Sequence, residues 1–218
     1  MVDTGLKARL RYKYGDEQVL VTNFVSANKI QDKFYPTPIK EVLPLVRKSE
    51  FVLRYDAEYN TAFVQLIPYI ILVDKKHSSI YVTHRIAGEE RLKDSIALGC
   101  GGHIAPEDAG GDLLYRAAHR EMNEEIQVSP WDDEFNYVGT VRDLNSSTPD
   151  HLGCVLYLTV KKNARVKETD KLSGEWMTFD QLTKNYGKFE SWARHILDSM
   201  LLAGGIDAWL ERWGNTWI

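Results

Sequence analysis

Apolar stretches along the chain alternate with amphipathic stretches whose apolar positions recur every three or four residues. The longest apolar run, at 63–73, is rich in β-branched side chains and predicts a central strand, although Pro68 interrupts its row of hydrogen-bond donors. A turn at 75–79 and an apolar run at 80–85 predict the returning strand of a hairpin. The same patterns predict strands at 18–25, 137–141, 154–160 and 174–179, helices at 41–48, 112–127 (with Asp112 as N-cap) and 189–202, and a short last helix that carries Trp209 and Trp213.

This alternation of strands and helices predicts a mixed α/β or α+β sandwich. We expect a main domain at 60–203, an N-terminal extension at 1–59 packed on it, and a C-terminal helix within 204–218. Residues 1–20 are polar and mixed in charge, which indicates a strand or an ordered arm. The extension caps the sheet, contacts a second subunit or shapes a substrate pocket, and the pattern does not decide among these.

Composition restricts the classes of function. The 218 residues are 44% apolar and 27% charged, which is typical of a compact fold. With 27 basic and 31 acidic residues the formal charge is −4, so the chain lacks the basic footprint of a protein that binds a nucleic-acid polymer. We expect no membrane segment, because no apolar run approaches the roughly 18–20 residues of a membrane span. Cys100 and Cys154 form no disulfide framework, and no signal-peptide core is evident, so we expect a cytoplasmic location.

The predicted helix at 112–127 carries an acidic cluster. Glu121, Glu124 and Glu125 are spaced i, i+3 and i+4, so they are neighbours on one patch of the helix. Like charges this close repel each other, and a bound cation would offset the repulsion. Carboxylate oxygens are ligands that suit Mg²⁺ or Mn²⁺. A helical wheel places Arg120 on a separate and more solvated arc.

A solvated acidic helix is the simpler interpretation of this cluster. Arg120 and Glu124 are spaced i, i+4, as in an ordinary surface ion pair. Two observations favour a binding site instead. The acidic patch adjoins the apolar arc of Leu114 and Ala118, and a glycine-rich corner at 99–103 precedes the helix.

The segment from Gly101 to Val128 resembles the Nudix box. That motif consists of a glycine, five residues, a glutamate, seven residues and then Arg-Glu-apolar-x-Glu-Glu-x-Gly-apolar. The paired glycines Gly101 and Gly102 match its start, and the resemblance extends over 63–203. The second half matches at Arg120, Glu121, Met122, Glu124, Glu125 and Val128. The resemblance implies a Nudix-like α/β/α sandwich with a mixed sheet, here with an N-terminal extension and an extra C-terminal helix.

The sequence departs from the box at two places. Four extra residues precede Arg120, so the first acid is either Asp108, counted from the glycine, or Asp112, counted from the arginine. Both are aspartates where the motif has glutamate. Gln127 replaces the late glycine. The glycines of the loop at 106–111 permit an irregular turn that accommodates the insertion.

Metal-dependent hydrolysis of a diphosphate linkage in a nucleoside diphosphate derivative is the activity that the resemblance implies. It implies that Glu121, Glu124 and Glu125 hold Mg²⁺ (or Mn²⁺), with the backbone carbonyl of Gly101 completing the metal ligands. Glu124 is our first choice for the general base, and Arg120 is expected to orient the box carboxylates. Rival candidates for the base are Glu168, Asp170 and Glu175.

Two further residues are candidates for binding the small-molecule nucleotide substrate. Arg85, at the end of a hairpin strand, is suited to a phosphate or is a solvated strand end. His103 follows the paired glycines, where it contacts phosphate or caps the loop. The alternative to an enzyme is a non-catalytic Nudix-fold regulator that binds a nucleotide.

A zinc-stabilised interaction domain is a second alternative. Cys100 and His103, together with His151 and Cys154, supply a Cys₂His₂ set. Small buried cysteines are nevertheless common without any metal.

The tryptophan-rich tail is also open to two interpretations. Its apolar residues are spaced to form one helical face, which docks on its own domain or contacts a second copy in a homodimer. These residues are Ile206, Trp209, Leu210 and Trp213.

Overall fold

The computed structural model describes residues 4–86, 95–128, 134–161 and 163–214. Its centre is a mixed sheet, as predicted. The strands, in chain order, are β1 (Gln18–Asn23), β2 (Lys33–Tyr35), β3 (Glu50–Leu53), β4 (Phe63–Asp74), β5 (Ser79–Arg85), β6 (Ile96–Ala97), β7 (Cys100–Gly101), β8 (Ile126–Gln127), β9 (Asn136–Arg142), β10 (His151–Thr159), β11 (Arg165–Val166) and β12 (Leu172–Thr178).

Strand β4 organises the sheet. The main path runs β12-β5-β4-β10-β9-β2, and β1 and β7 also pair with β4. Strand β10 is parallel to β4, whereas β5 and β9 lie antiparallel to their neighbours. Almost every residue of β4 is buried. This explains why its sequence is continuously apolar rather than alternating.

Pro68 lies inside this central strand without breaking a ladder. The amide of Gln65 donates to Asp150 on the β10 side of the sheet. Because amides alternate in direction along a strand, position 68 faces the other side. On that side of β4, β1 pairs with residues 63–65 and β7 pairs with residues 69–70. Pro68 lies between these two short strands, so no ladder hydrogen bond is lost where its backbone N–H is absent.

The helices, in chain order, are α1 (Thr4–Tyr14), α2 (Phe24–Ala27), α3 (Ile39–Arg47), α4 (Arg54–Ala57), α5 (Leu113–Glu125), α6 (Phe179–Lys184), α7 (Ser191–Ala203) and α8 (Ile206–Trp213). One face of the sheet packs on α5, through a core that joins Leu66 and Ile70 to Ala118 and Met122. The other face packs on α7 and α8. The fold is therefore an α/β/α sandwich.

The first described residues form helix α1, so of the two structures expected at 1–20 the strand was wrong for residues 4–14, whereas an ordered arm is compatible with a helix. Helix α1 ends at Gly15, which has φ of 56° and donates its amide to the carbonyl of Arg11. A glycine with positive φ is a common helix terminator. Lys7 pairs with Asp56 at 2.6 Å and ties α1 to α4. The extension also joins the sheet, because β1 pairs with both β3 and β4.

The tail docks on its own domain. Trp209 is fully buried, and its Nε1 atom donates to Ser199 Oγ at 2.7 Å. Its ring lies 5.6 Å from that of Phe34. Trp217 lies outside the described residues, and the homodimer stays a prediction. None of the helices in the described ranges is both long and apolar enough to cross a membrane.

Candidate active site

A glycine corner forms the floor of the site. Strand β7 pairs with Tyr69 and Ile70 of β4, so the chain passes close to the β4 backbone. A Cβ atom at Gly101 would lie 2.4 Å from the carbonyl oxygen of Pro68, and one at Gly102 would lie 2.2 Å from Glu121 Oε2. A side chain at either position would displace backbone or carboxylate, so only glycine permits this approach.

Helix α5 carries the acidic cluster along the edge of this corner. Ala117, Ala118 and Met122 are fully buried against the sheet. Their burial fixes the rotation of the helix and therefore the direction of the glutamates. The helix begins one residue after Asp112, whose side chain makes no capping hydrogen bond, so the predicted N-cap interaction was wrong.

Arg120 is the centre of a hydrogen-bond network. Its Nε and Nη2 atoms donate to the two oxygens of Asp108 at 3.0 and 2.9 Å, and Nη1 donates to Glu121 Oε1 at 2.8 Å. The Nη2 atom also donates to the carbonyl of His103 at 2.8 Å, and Glu124 Oε1 lies 3.3 Å from Nη1. The side chain is only 21% exposed, so its placement on a solvated arc was wrong.

The same network distinguishes between the two candidates for the first acid of the box. Asp108 lies in a 3₁₀ turn, is 3% exposed and accepts the amide of Ala105 at 2.8 Å. Asp112 is exposed. The four extra residues therefore lie between Asp108 and the helix, and Asp108 is the acid that meets Arg120. Its two-pronged pairing is the geometry in which guanidinium and carboxylate bind most strongly.

Burial of the glutamates changes their protonation. Burial raises the pKa of Glu121, although the charge of Arg120 opposes the shift. Burial, followed by the neighbouring charge of Glu121, raises the pKa of Glu125 to about 7. The hydrogen bond with Asp108 raises the pKa of Arg120. The face of α5 that carries Glu121, Glu124 and Glu125, the acidic face, therefore holds crowded negative charge. Arg120 offsets only part of that charge.

The acidic face forms one wall of a cleft of about 900 Å³. Arg85, the last residue of β5, lines the cleft, and its charge lowers the pKa of Glu125 in opposition to burial. Every residue predicted to bind metal or substrate lines the cleft, namely Arg85, Gly101, His103, Arg120, Glu121, Glu124 and Glu125.

The three rival bases are not among the residues that line this cleft. Glu168 is paired with Lys171 at 2.9 Å. Glu175 lies 2.9 Å from His84 Nε2 and lines a smaller, separate pocket. Asp170 is exposed. Glu124 therefore lines the cleft and the three rivals do not, although the charge of Glu168 reaches the box and raises the pKa of Glu125.

Other lining residues were missed by sequence reasoning. The hydroxyl of Tyr69 donates to Glu190 Oε1 at 2.9 Å and accepts the amide of Leu98 at 3.0 Å. The rings of Trp192 and Tyr69 form a T-shaped contact, with centroids 5.9 Å apart. The loop at 143–148 also lines the cleft. These side chains come from distant segments and form no local motif, so no spacing could have identified them.

The structure does not assemble the predicted Cys₂His₂ set. Cys100 and Cys154 are free thiols buried in the core, and burial raises the pKa of both, that of Cys154 to about 12. The rings of His103 and His151 do meet, with centroids 5.5 Å apart. Among the described residues, Glu58 joins these two histidines, so a carboxylate from the extension takes the place expected for the thiols.

A mixed sheet between two helical layers, with an acidic helix beside a glycine corner, is the architecture of the Nudix fold. The family model of the NUDIX domain matches residues 66–200. The chain therefore belongs to the Nudix family, a family of pyrophosphohydrolases whose enzymes generally use divalent metal ions.

Known proteins support this assignment. The chain is 33% identical to protein YmaB of Bacillus subtilis over 156 residues, which cover 66% of the chain and 75% of YmaB. The crystal structure of the Nudix protein Tm1382 superposes with a TM-score of 0.73 at 25% identity, covering 85% of the chain and 99% of Tm1382.

A more distant structure shares the fold alone. The bifunctional NMN adenylyltransferase/ADP ribose pyrophosphatase of Francisella tularensis, in complex with AMP and a manganese ion, matches with a TM-score of 0.51 at 13% identity. The match covers 64% of the chain and 41% of that protein.

Proposed function

We propose that this protein hydrolyses the diphosphate linkage of a small nucleoside diphosphate derivative with the help of Mg²⁺ or Mn²⁺. The observation that carries the proposal is the alignment of Glu121, Glu124 and Glu125 along one wall of the cleft, beside the corner at Gly101 and Gly102. Family membership supports the class of reaction. The substrate and the need for metal rest on the residues themselves.

These residues fit a hard dication. Carboxylates and a backbone carbonyl at Gly101 are the oxygen ligands that Mg²⁺ and Mn²⁺ prefer. The raised pKa values of Glu121 and Glu125 reflect negative charge that burial disfavours, and a bound cation would relieve that cost. When bound, the dication supplies charge neutralisation for the phosphates and lowers the pKa of an attacking water.

The chain's own residues divide the remaining work. Glu124 is the most exposed of the three acids, with 56% of its side chain accessible, so it is the one placed to take a proton from water in the cleft. Arg120 holds Glu121 and the corner in position through hydrogen bonds of 2.8 Å. Arg85 supplies positive charge beside the acids, which suits a substrate phosphate.

The size of the cleft is consistent with a nucleotide-derived ligand. Ligand pockets for small molecules commonly measure about 300–1,000 Å³, and this one lies within that range. The Francisella protein of the same fold holds AMP and manganese, which supports including ADP-ribose among the trial substrates.

The test is a substrate panel assayed with Mg²⁺ or Mn²⁺ and after chelation. The panel comprises ADP-ribose, dinucleoside polyphosphates and nucleoside triphosphates, each with the wild type, Glu124→Gln and Glu125→Gln. We expect metal-dependent turnover of at least one compound, and a loss of about 100-fold or more in both variants, equivalent to ~2.7 kcal/mol of transition-state stabilisation. Glu211→Gln, an exposed position on α8, is the matched control and should retain full activity.

Equal turnover by wild type and both variants would remove these glutamates from the mechanism. Tight binding of a nucleotide by every protein without turnover would instead support a nucleotide-binding regulator.

A further inference from the structure

A second group of potential ligands lies beside the glycine corner, where His103 follows Gly101 and Gly102. The ligand atoms of Glu58, His103 and His151 all lie within 4.8 Å of one another. All three residues line the same cleft as the box. No box glutamate belongs to this group among the described residues.

Three separate segments build this group, which we name the histidine cluster (Glu58, His103 and His151). Glu58 is the C-cap residue of α4 in the N-terminal extension. His103 follows the glycine corner, and His151 begins β10 beside β4. The corner is held on the extension by a hydrogen bond of 2.9 Å from the amide of Leu20 to the carbonyl of Ile104. The cluster therefore joins parts of the fold that are already fixed relative to one another.

The histidines are prepared to act as ligands. Asp150 Oδ1 lies 3.0 Å from His151 Nδ1, which leaves the other ring nitrogen of His151 for the cluster. A carboxylate behind a histidine is the usual arrangement around protein-bound zinc. The Nε2 atom of His103 is buried and has no hydrogen-bond partner in the described structure. A buried polar atom without a partner costs free energy, and a metal ion would satisfy it.

Charged side chains of both signs surround the cluster. Arg54 faces two carboxylates, with Nη1 2.8 Å from Glu17 Oε1 and Nε 3.6 Å from Glu58 Oε1. The longer distance leaves Glu58 weakly held by this arginine. Asp150 adds a third carboxylate beside the imidazoles. Two guanidiniums, those of Arg54 and Arg120, therefore lie near the cluster together with three acids.

We propose that Glu58, His103 and His151 bind Zn²⁺ or a similar transition-metal dication, with an open coordination position that faces the cleft. Two imidazoles and one carboxylate are the ligands of many zinc sites that keep a position for water or substrate, whereas Mg²⁺ prefers oxygen alone. Ligand atoms around one zinc ion lie about 3.3 Å apart, given bonds of about 2.0–2.1 Å, so small side-chain rotations within the cluster suffice. The open position suits an oxygen of the bound substrate.

The experiment measures metal binding by the whole 218-residue chain and does not depend on turnover. Chelated protein is titrated with Co²⁺ in excess Mg²⁺, which occupies the box, and binding is followed by the visible absorption of Co²⁺ and by elemental analysis after desalting. We expect one Co²⁺ per wild-type chain, displaced by Zn²⁺. Glu58→Gln and His151→Ala should each weaken binding by about 100-fold or more, beyond the 10–100-fold loss typical of an outer-shell residue.

Three controls separate the cluster from other sites. His77→Ala removes a half-exposed histidine outside the cluster, Cys100→Ser removes a thiol of the Cys₂His₂ alternative, and Glu125→Gln weakens the box. All three should bind Co²⁺ as the wild type does. Circular dichroism establishes that each variant is folded, and Glu58 lies at a helix end on the cleft wall, so its substitution tests the site even where a histidine variant unfolds.

The proposal is overturned by wild-type protein that binds no Co²⁺ in excess Mg²⁺, by binding that persists in Glu58→Gln and His151→Ala, or by binding that is lost in Cys100→Ser or Glu125→Gln. Each of these outcomes leaves Mg²⁺-dependent hydrolysis by the wild type unaffected, so failure of this site is distinguishable from failure of the proposed function.

Discussion

The acidic box and the histidine cluster occupy one cleft but are built in opposite ways. The box places its acids within a single helix and supplies its own cation, since Arg120 binds Asp108, Glu121 and Glu124. The histidine cluster gathers residues from three distant segments, and the guanidinium of Arg54 lies 3.6 Å from the carboxylate of Glu58. The first is a charged network that a hard ion completes. The histidine cluster offers two imidazoles and one carboxylate, which suit a softer metal ion.

Each region uses an aspartate to hold its key group in place. Both carboxylate oxygens of Asp108 accept hydrogen bonds from the guanidinium of Arg120, and Asp150 lies 3.0 Å from a ring nitrogen of His151. Burial raises the pKa of Asp150, yet the hydrogen bonds with His151 and Gln65 and the charge of the His151 ring together outweigh burial and lower that pKa. The comparison leads us to expect that the box stabilises the fold as well as forming part of the candidate active site, whereas the cluster contributes only the metal site that we propose.

The largest expected effect comes from removing the cation of the box. Arg120→Met leaves Asp108, which is 3% exposed, and Glu121, which is 9% exposed, without their counter-charge. Breaking a buried pair in this way typically costs about 3–5 kcal/mol. We expect a loss of that size in the free energy of unfolding, measured with urea, and a fall in turnover of about 100-fold.

Arg116→Met is the matched control, because this exposed arginine lies one turn earlier on α5 and makes only a 3.3 Å bond to the carbonyl of Glu107. We expect Arg116→Met to change the free energy of unfolding and the turnover very little. The stability and turnover of Arg120→Lys should lie between those of Arg120→Met and Arg116→Met, because an ammonium cannot form the two-pronged bond with Asp108. Full stability in Arg120→Met would refute the view of the box as a stabilising network.

A crossed pair of substitutions tests whether the two regions are separate. Asp150→Asn should weaken Co²⁺ binding by about 10- to 100-fold, because the amide no longer fixes the ring of His151. Asp108→Asn should leave Co²⁺ binding unchanged and lower kcat by about 10-fold, because Arg120 loses its charged partner. Both are measured by the Co²⁺ titration and the hydrolysis assay. If each variant impaired both readouts equally, the cleft would be one coupled site.

The smallest expected effect concerns Glu190, a cleft acid that has neither an arginine clamp nor a histidine. Burial raises its pKa above the ordinary 4.5, and the bond from Tyr69 only partly opposes this. A carboxyl with a raised pKa keeps a proton in the folded state that the unfolded chain has released. Stability from this group is therefore lost as pH rises above the ordinary value.

Glu190→Gln should remove the loss of folding stability at high pH. The amide stays neutral at every pH and can still accept the hydrogen bond from Tyr69. We expect Tm to rise by about 2–4 °C at about pH 8, which corresponds to ~1 kcal/mol in a domain of this size, and to change little at about pH 5. Thermal unfolding of both proteins across this range is the measurement. A gain that is the same at every pH would show that ionisation of Glu190 is not the cause.

Much of the box could be predicted because helical geometry is local. The spacing of Glu121, Glu124 and Glu125 fixes their common face, and the glycines before them indicate a close backbone approach. The helical wheel placed Arg120 wrongly because it contains only residues of the helix. Asp108, which pairs with Arg120, lies in the 3₁₀ turn before the helix. Likewise, the strand expected at the N-terminus proved to be α1, because a run of mixed charge carries no strong period of either kind.

The sequence by itself determined the central strand, the acidic helix and the Nudix class, since each depends on residues within a few turns of one another. Only the tertiary structure decided that Glu58 meets His103 and His151, that Trp209 is buried under its own domain, and that Glu124 lies in the cleft while Glu175 does not. Contacts between distant segments depend on how strands pair and layers pack, and no local spacing records that arrangement.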